Sequence, residues 1–343
     1  MNQKECMTLE SMKNYASAGH VPLLKSNLLG ADPRIAHGFT TRLGGVSQDH
    51  LSSLNLSFTR GDDPDKVMEN YRRLAAELDG NVDQIVTTDQ THTKTVRVVT
   101  KEDAGKGIVK ERDYSDVDGL VTNVPGLILS VFVADCVPVL LYDPVHRAIG
   151  AVHSGWRGTV GRISKVALDL MQENYGTNPE DVRVAIGPSI CRDCYEVSQD
   201  VAEEFMKEFQ VEAIPYTNHG RVCMGDKTGD KTGDKQELEH AYERLESTDR
   251  RTSILPDPGY GSLLYKKENG HYQLDLWAAI RKSLLEAGVY DEYIDILGVC
   301  TMENSEWLFS HRATAGKRGN MAGVISLKGT KAIELQVVED YRR

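Results

Sequence analysis

The chain predicts an α/β fold of the mixed α+β kind, a single domain with central mixed sheets and flanking helices, and not a Rossmann fold. Three observations carry this expectation. Residues 127–134, 137–142 and 148–152 are continuous apolar runs of strand length, the pattern of strands covered on both faces. Segments of helical period alternate with strand-like ones, without a regular βαβ repeat. No Gly-rich dinucleotide fingerprint follows any of the strands.

Taken in order, residues 1–30 read as a tail leading into a short first strand. The stretch from His37 to Arg42 is a strand ending in the turn Gly44-Gly45. Asp63 is placed to cap a helix with Pro64 at its first position. Val67, Tyr71, Leu74, Ala75 and Leu78 follow at helical spacing, until Gly80. Strands over 84–88 and 95–100 flank the corner Asp89-Gln90-Thr91-His92. After the three apolar runs, 159–175 has a helical stripe through Ile163, Val166, Ala167, Leu170 and Met171. A strand over 182–186 is closed by Gly187-Pro188. Ser198 then opens a short acidic helix with Val201, Phe205 and Phe209 on one side.

Residues 216–262 change character. They hold the tandem repeat GDKTGDKTGDK and few apolar residues, so they bury too little surface to offset ordering entropy and read as a surface insertion. The Asp and Gly content suggests a calcium loop, but the spacing and closing Glu of that motif are missing. Regular structure resumes with Asp275 capping a helix through Trp277, Ile280, Leu284 and Leu285 to Gly288, then a strand over 294–299 and a basic, glycine-spaced stretch to Gly323. The expected organisation is an N-terminal tail (1–30), one catalytic domain (31–330) and a C-terminal tail (331–343).

A chain of 343 residues with 40% hydrophobic content builds a sizeable core. Its net charge of -11 argues against nucleic acid as a partner. No run reaches the ~20 apolar residues of a membrane span, and the N-terminus has no apolar signal core. The expectation is a cytoplasmic protein, monomeric or a small homo-oligomer, with its 6 cysteines reduced. Cys191 and Cys194 form a CxxC without a second CxxC, and read as ordinary buried or loop cysteines.

The chemistry centres on His92, Cys136 and His153, each closing or following a strand-like run. Alone, each has a bland reading: a buried Cys is usually a small hydrophobe, and a His at a strand end is usually a satisfied structural residue. Together, one sulfur and two imidazoles suit zinc with a coordination position left open. Such a metal lowers the pKa of a bound water toward ~7 or polarises a substrate group. Asp135, inside an apolar run, is the candidate orienter or proton carrier, with local backbone capping equally available to it. Arg42 and Arg157 adjoin glycine turns and, with the cluster from Arg312 to Arg318, are the candidate anion binders. Asn55 orients a sugar hydroxyl or braces a turn, and His37 and His311 are further pocket candidates.

The segments HGFTTRLGGVS (37–47), SLNLS (53–57), GDDP (61–64), DGLVT (118–122), ADCVPVLLYDP (134–144), HSGWRGT (153–159), IGPSI (186–190) and CYEV (194–197) resemble, in order, the YfiH/YlmD-like family of laccase-domain or polyphenol-oxidase-like proteins. The resemblance spans about residues 35 to 326 apart from the insertion. It implies a YfiH-like single domain with zinc on His92, Cys136 and His153. It also implies phosphorolysis of adenosine, inosine, guanosine and methylthioadenosine to free base and pentose 1-phosphate, with adenosine deamination in the same pocket. Ser154 stands where Ala is usual, 191–194 departs from the commoner Gly-Pro-Cys-Cys, and Asn320 stands where Arg is frequent. Three rivals stand beside this reading: a copper-dependent polyphenol oxidase (laccase), a peptidoglycan-precursor editing amidase, and a non-catalytic binding protein on the same fold.

Overall fold

The computed structural model describes residues 8–216 and 262–329. Residues 1–7, the insertion expected at 216–262 apart from its two end residues, and the tail expected at 331–343 lie outside them. The segment expected to be an N-terminal tail is structured from residue 8. Helix α1 (Leu9–Ser17) starts at Thr8, whose hydroxyl accepts from the Ser11 amide, and it buries Met12. A second helix, α2 (Asn27–Gly30), is capped by Ser26 and buries Leu29. Both are short, nine and four residues, so neither shows a readable period in sequence.

The longer helices follow the capping signals. Helix α3 (Pro64–Ala76) has Asp63 accepting from the Asp65 amide. The stripe over 159–175 is divided into α4 (Trp156–Val160) and α5 (Ile163–Tyr175). The break falls at Arg162, whose φ of 53° is left-handed and cannot continue a helix. Ser198 precedes α6 (Gln199–Phe209) but turns its hydroxyl to Asp200 rather than to the backbone. Asp275 caps α7 (Leu276–Glu286) by accepting from the Ala278 amide at 2.9 Å.

The strands are β1 (Leu23–Leu24), β2 (Ile35–Thr40), β3 (Ile85–Thr87), β4 (Val96–Val98) and β5 (Gly119–Thr122). The apolar runs form β6 (Ile128–Val133), β7 (Val137–Asp143) and β8 (Ala148–Ser154), followed by β9 (Arg183–Ile186) and β10 (Glu196–Val197). The last are β11 (Ile214–Pro215), β12 (Leu264–Lys266), β13 (Tyr272–Leu274), β14 (Ile294–Ile296) and β15 (Met321–Leu327). They make a five-stranded sheet (β1-β2-β15-β6-β3), a six-stranded sheet (β14-β9-β7-β8-β5-β4) and a small sheet (β10-β13-β12-β11).

The two larger sheets stack face to face. Leu140 and Tyr142 of β7 point to the five-stranded sheet, where they meet Phe39, Leu129 and Ile325. Val137, Val139 and Leu141 point the other way, onto Ile163 and Ala167 of α5 and Ile280 of α7. This two-sided cover is why β6, β7 and β8 read as continuous apolar runs. The pairing at the centre is antiparallel, β7 with both β8 and β9, so the layers differ from a doubly wound parallel sheet. On the outer face of the five-stranded sheet, Val67, Tyr71 and Leu74 of α3 pack on Ile85, Ile128 and Val324. Among the described residues, no helix is long and apolar enough to cross a membrane.

His37 is placed by this layering. It lies inside β2, paired with Ile325 and 4% exposed, and its Nε2 accepts from the Ser26 amide at 3.1 Å. It braces the first turn of α2 and does not reach a pocket, which corrects the expectation of a substrate-binding role. Burial, and then the charge of Lys25, pull its pKa down to about 4. The folded pKa lies below the unfolded value, so the stability of the neutral form is present above pH ~6.5 and is lost as pH falls through about 4. About 3 kcal/mol of this kind is expected. Urea unfolding of wild type and His37→Gln at pH 7 and pH 4.5 measures it: the gap between the two should narrow at the lower pH. A constant gap would contradict a buried neutral imidazole.

Candidate metal centre and active site

The chain crosses from the five-stranded to the six-stranded sheet between Val133 and Val137, and Cys136 lies in that crossing. Its neighbours arrive from two other elements. His153 sits near the end of β8, directly opposite Pro138 of β7. His92 sits in the corner after β3, which is moored to β6 by Gln90: its amide donates to the Phe132 carbonyl at 2.8 Å and its oxygen accepts from the Phe132 amide at 2.6 Å.

The three expected ligands converge. One donor atom from each of His92, Cys136 and His153 lies within 4.8 Å of the others. The Cys136 sulfur is 3.9 Å from His92 Nε2, and the two imidazole rings meet edge to face at 5.0 Å. Gly155 packs closely beside them: a Cβ there would lie 3.1 Å from His92 and 3.2 Å from the Cys136 sulfur, so a larger residue would press on both ligands. His153 is buried, Cys136 half-buried and His92 exposed, so the group opens on one side. This donor set fits a borderline-soft divalent ion with an accessible coordination position.

Asp118, just before β5, organises the site. Its Oδ1 accepts from His153 Nδ1 at 2.7 Å and from the His92 amide at 3.1 Å. Its Oδ2 accepts from the amides of Thr91 and Thr93 and from the Thr93 hydroxyl, at 3.2, 2.8 and 2.9 Å. The carboxylate therefore directs His153 Nε2 toward the ligand group and holds His92 at a left-handed φ of 65°. Burial raises the Asp118 pKa, but the hydrogen bonds from His153 and Thr93 outweigh it and hold the carboxyl below its usual range. For Cys136, burial pushes the thiol up, and the attraction of His153 and then His92 prevails, bringing it to about 6. Burial lowers His153, and the Cys136 charge and Asp118 raise it to about 9.

The orienter role expected of Asp135 thus belongs to Asp118. Asp135 has a φ of 87°, and its carboxylate accepts from Thr301 Oγ1 and from the Arg312 amide, each at 2.6 Å. It ties three loops together beside Cys136, the local capping role it also had open to it.

Two other expected substrate residues brace loops. Asn55 is fully buried and uses both ends of its amide: it donates to the Ser57 carbonyl and Asp62, and accepts from the amides of Ser57 and Asn320. No part of it is left for a sugar. Arg42 donates Nε to the Ser52 carbonyl at 2.6 Å and Nη1 to the Ser305 carbonyl at 3.1 Å, and it stacks on Phe309. It joins two loops instead of presenting an open fork to an anion.

Arg157 is different. It is exposed, with its guanidinium 4.2 Å from the Trp156 ring centre. Arg312 lies over Tyr195 and donates to the Glu196 carbonyl. Arg318 donates to Asn320 Oδ1 and the Gly319 carbonyl, while its Nε is buried with no partner among the described residues. Burial, then the charge of Arg60, lower the Arg318 guanidinium to about 10, with Asp135 and Cys136 opposing. Burial and Arg318 likewise hold His311 below its ordinary value, with Arg60 and Arg312 adding to this. Burial, then the Cys136 charge, raise Tyr195 to about 12 against the pull of Arg312 and Arg157. Arg318 thus lies within electrostatic reach of Cys136, and Arg312 and Arg157 within reach of Tyr195, which itself feels the Cys136 charge. Arg60 and Tyr195 were not among the residues expected from sequence, although Arg60 precedes Gly61 just as Arg157 precedes Gly158.

The family described as multi-copper polyphenol oxidoreductase laccase matches residues 36–230 and 246–328. A protein named purine nucleoside phosphorylase from Deinococcus radiodurans is 34% identical over 311 residues, 91% of this chain and 95% of its own. A protein named adenosine deaminase RL5, from an unknown prokaryotic organism, is 37% identical over 171 residues, 49% of this chain and 65% of its own. The crystal structure of YlmD from Geobacillus stearothermophilus superposes with a TM-score of 0.67 at 30% identity, covering 87% of this chain and 93% of that one. With the family match across most of the chain and the shared fold, the protein belongs to the YfiH/YlmD-like family of laccase-domain proteins.

Proposed function

We propose that the protein is a zinc-dependent purine nucleoside phosphorylase with adenosine deaminase activity. The observation that carries the proposal is the convergence of His92, Cys136 and His153, one donor atom of each lying within 4.8 Å of the others on the side where His92 is exposed. Phosphorolysis needs an anion site beside the sugar, and deamination needs a metal-facing pocket for the base. When bound, the metal supplies Lewis acidity to that pocket.

The side chains define the remaining tasks. Arg157 and the half-buried Arg318 hold phosphate and offset its charge as it approaches the sugar. One oxygen of hydrogen phosphate bonds to C1′ as the C1′–N9 bond breaks, and the purine leaves with the bonding pair and takes the proton that the phosphate gives up on becoming the ester. Asp118 holds the His153 proton on Nδ1, which would leave Nε2 free to hold the metal. Adenosine, inosine, guanosine and methylthioadenosine are the substrates in this reading.

The donor set weighs against a multi-copper oxidase. Among the described residues, the one other group able to hold a metal is Cys191, Cys194, Cys300 and Glu303, which has no imidazole. Product analysis with adenosine, with and without phosphate, tests the proposal. Adenine is expected only with phosphate, and inosine under both conditions. Neither product from any purine nucleoside would overturn it.

A further inference from the structure

The Cys191-x-x-Cys194 pair, unremarkable in sequence, acquires partners from a distant loop. After β9 the chain runs alongside the segment after β14: Ser189 pairs with Cys300, the Ser189 amide donates to the Val299 carbonyl at 3.2 Å, and the Thr301 amide donates to the Ser189 carbonyl at 3.0 Å. A single helical turn over Arg192–Cys194 then folds Cys194 back toward Cys191, with the Cys194 amide donating to the Cys191 carbonyl. The three sulfurs and a Glu303 oxygen end within 4.8 Å of one another. The Cys191 amide points at the Cys300 sulfur at 3.5 Å, and Glu303 Oε1 lies 3.8 Å from Cys191 Sγ and 3.5 Å from Cys194 Sγ.

We propose that Cys191, Cys194, Cys300 and Glu303 form a second metal site, which binds one zinc ion in a structural role. The chemistry is that of a closed site: three soft thiolates and one carboxylate from the protein, with no ligand position left for substrate. With Zn–S bonds of about 2.3 Å, tetrahedral geometry puts sulfurs about 3.8 Å apart, and the sulfurs here already lie within 4.8 Å of one another. The bland readings account for less of it. Three thiols acting only as small hydrophobes would not be expected to gather around a carboxylate oxygen, yet Glu303 Oε1 lies 3.8 Å from Cys191 Sγ and 3.5 Å from Cys194 Sγ. A disulfide would use two sulfurs and strand the third, and all three cysteines are free thiols.

The site shares no residue with the His92 group and does not depend on the proposed activity. Its consequence reaches that group all the same. The loop it would fix on one side donates the Ile190 amide to the Asp135 carbonyl at 3.0 Å, and the loop on the other side donates Thr301 Oγ1 to the Asp135 carboxylate at 2.6 Å. Zinc here would clamp both loops onto the turn that carries Cys136.

Zinc counting by elemental mass spectrometry tests this on the full chain, purified without chelator. Wild type should carry about two zinc per chain, and Cys136→Ala and Cys300→Ser about one each. Because Cys300→Ser could fail to fold, the Cys136→Ala protein is also loaded with Co(II) alone. It should show intense thiolate-to-cobalt charge-transfer absorption, since three thiolates remain in one site. Cys136→Ala protein that holds no zinc and shows no such absorption would overturn the proposal. So would a disulfide joining any two of the three cysteines in freshly purified protein, read from intact peptides.

Discussion

Cys136→Ala is expected to remove both phosphorolysis and deamination while leaving the chain folded. The sulfur is the one soft ligand in the group of His92, Cys136 and His153. Losing a residue that merely supports a metal ligand costs 10–100-fold in affinity or activity, so losing the ligand itself should exceed ~100-fold. The folding cost is small by comparison, about 1 kcal/mol, because Cys136 is half-buried and Ala fits the same crossing between sheets. The checks are product formation from adenosine, zinc content and a urea unfolding curve on the same preparation. A folded, metal-free variant that keeps full activity would refute the metal-dependent reading. A variant that unfolds would instead show that Cys136 holds the crossing together.

The residues legible in sequence were those whose neighbours in the chain already restrict them. Cys136 follows an Asp in an apolar run, and His153 precedes two glycines and a helix, so a special environment is written locally. The covered strands were legible for the same reason, because burial on both faces leaves a continuous apolar run. Asp118 was not. It lies 35 positions from His153 and meets it only because β5 and β8 pair with Gly119 opposite Val152. Asp135 attracted the orienter role through adjacency to Cys136, yet the left-handed backbone at Asp135 turns its carboxylate toward Thr301 and Arg312. Asn55 and Arg42 misled for a related reason. Their partners Asn320 and Ser305 lie more than two hundred residues away, and no local pattern encodes that closure. The Cys191 pair shows the same limit: its third sulfur comes with β14, which pairs parallel to β9.

Asp118→Ala should be the most damaging single change outside the ligands themselves. Its carboxylate satisfies three consecutive amides (residues 91–93), the Thr93 hydroxyl and His153 Nδ1, and all of these lose their acceptor together. Removing one partner of a buried charged pair costs 3–5 kcal/mol, chiefly because the groups left behind stay desolvated. The same loss should lower metal affinity 10–100-fold, since His153 would be free to choose its tautomer and the His92 corner would lose what holds it left-handed. Asp118→Asn separates the two effects. It keeps the shape and one acceptor oxygen but turns an NH2 toward donors, so it should fold with a smaller loss, ~1–3 kcal/mol, and still bind metal weakly. Urea unfolding in excess chelator reads the structural part, and competition with a chromogenic chelator reads the affinity. Wild-type affinity and stability in Asp118→Ala would mean that the corner and His153 are held by the sheets alone. A loss of affinity in Asp118→Asn at near-normal stability would assign the carboxylate to the metal site as well as to the fold.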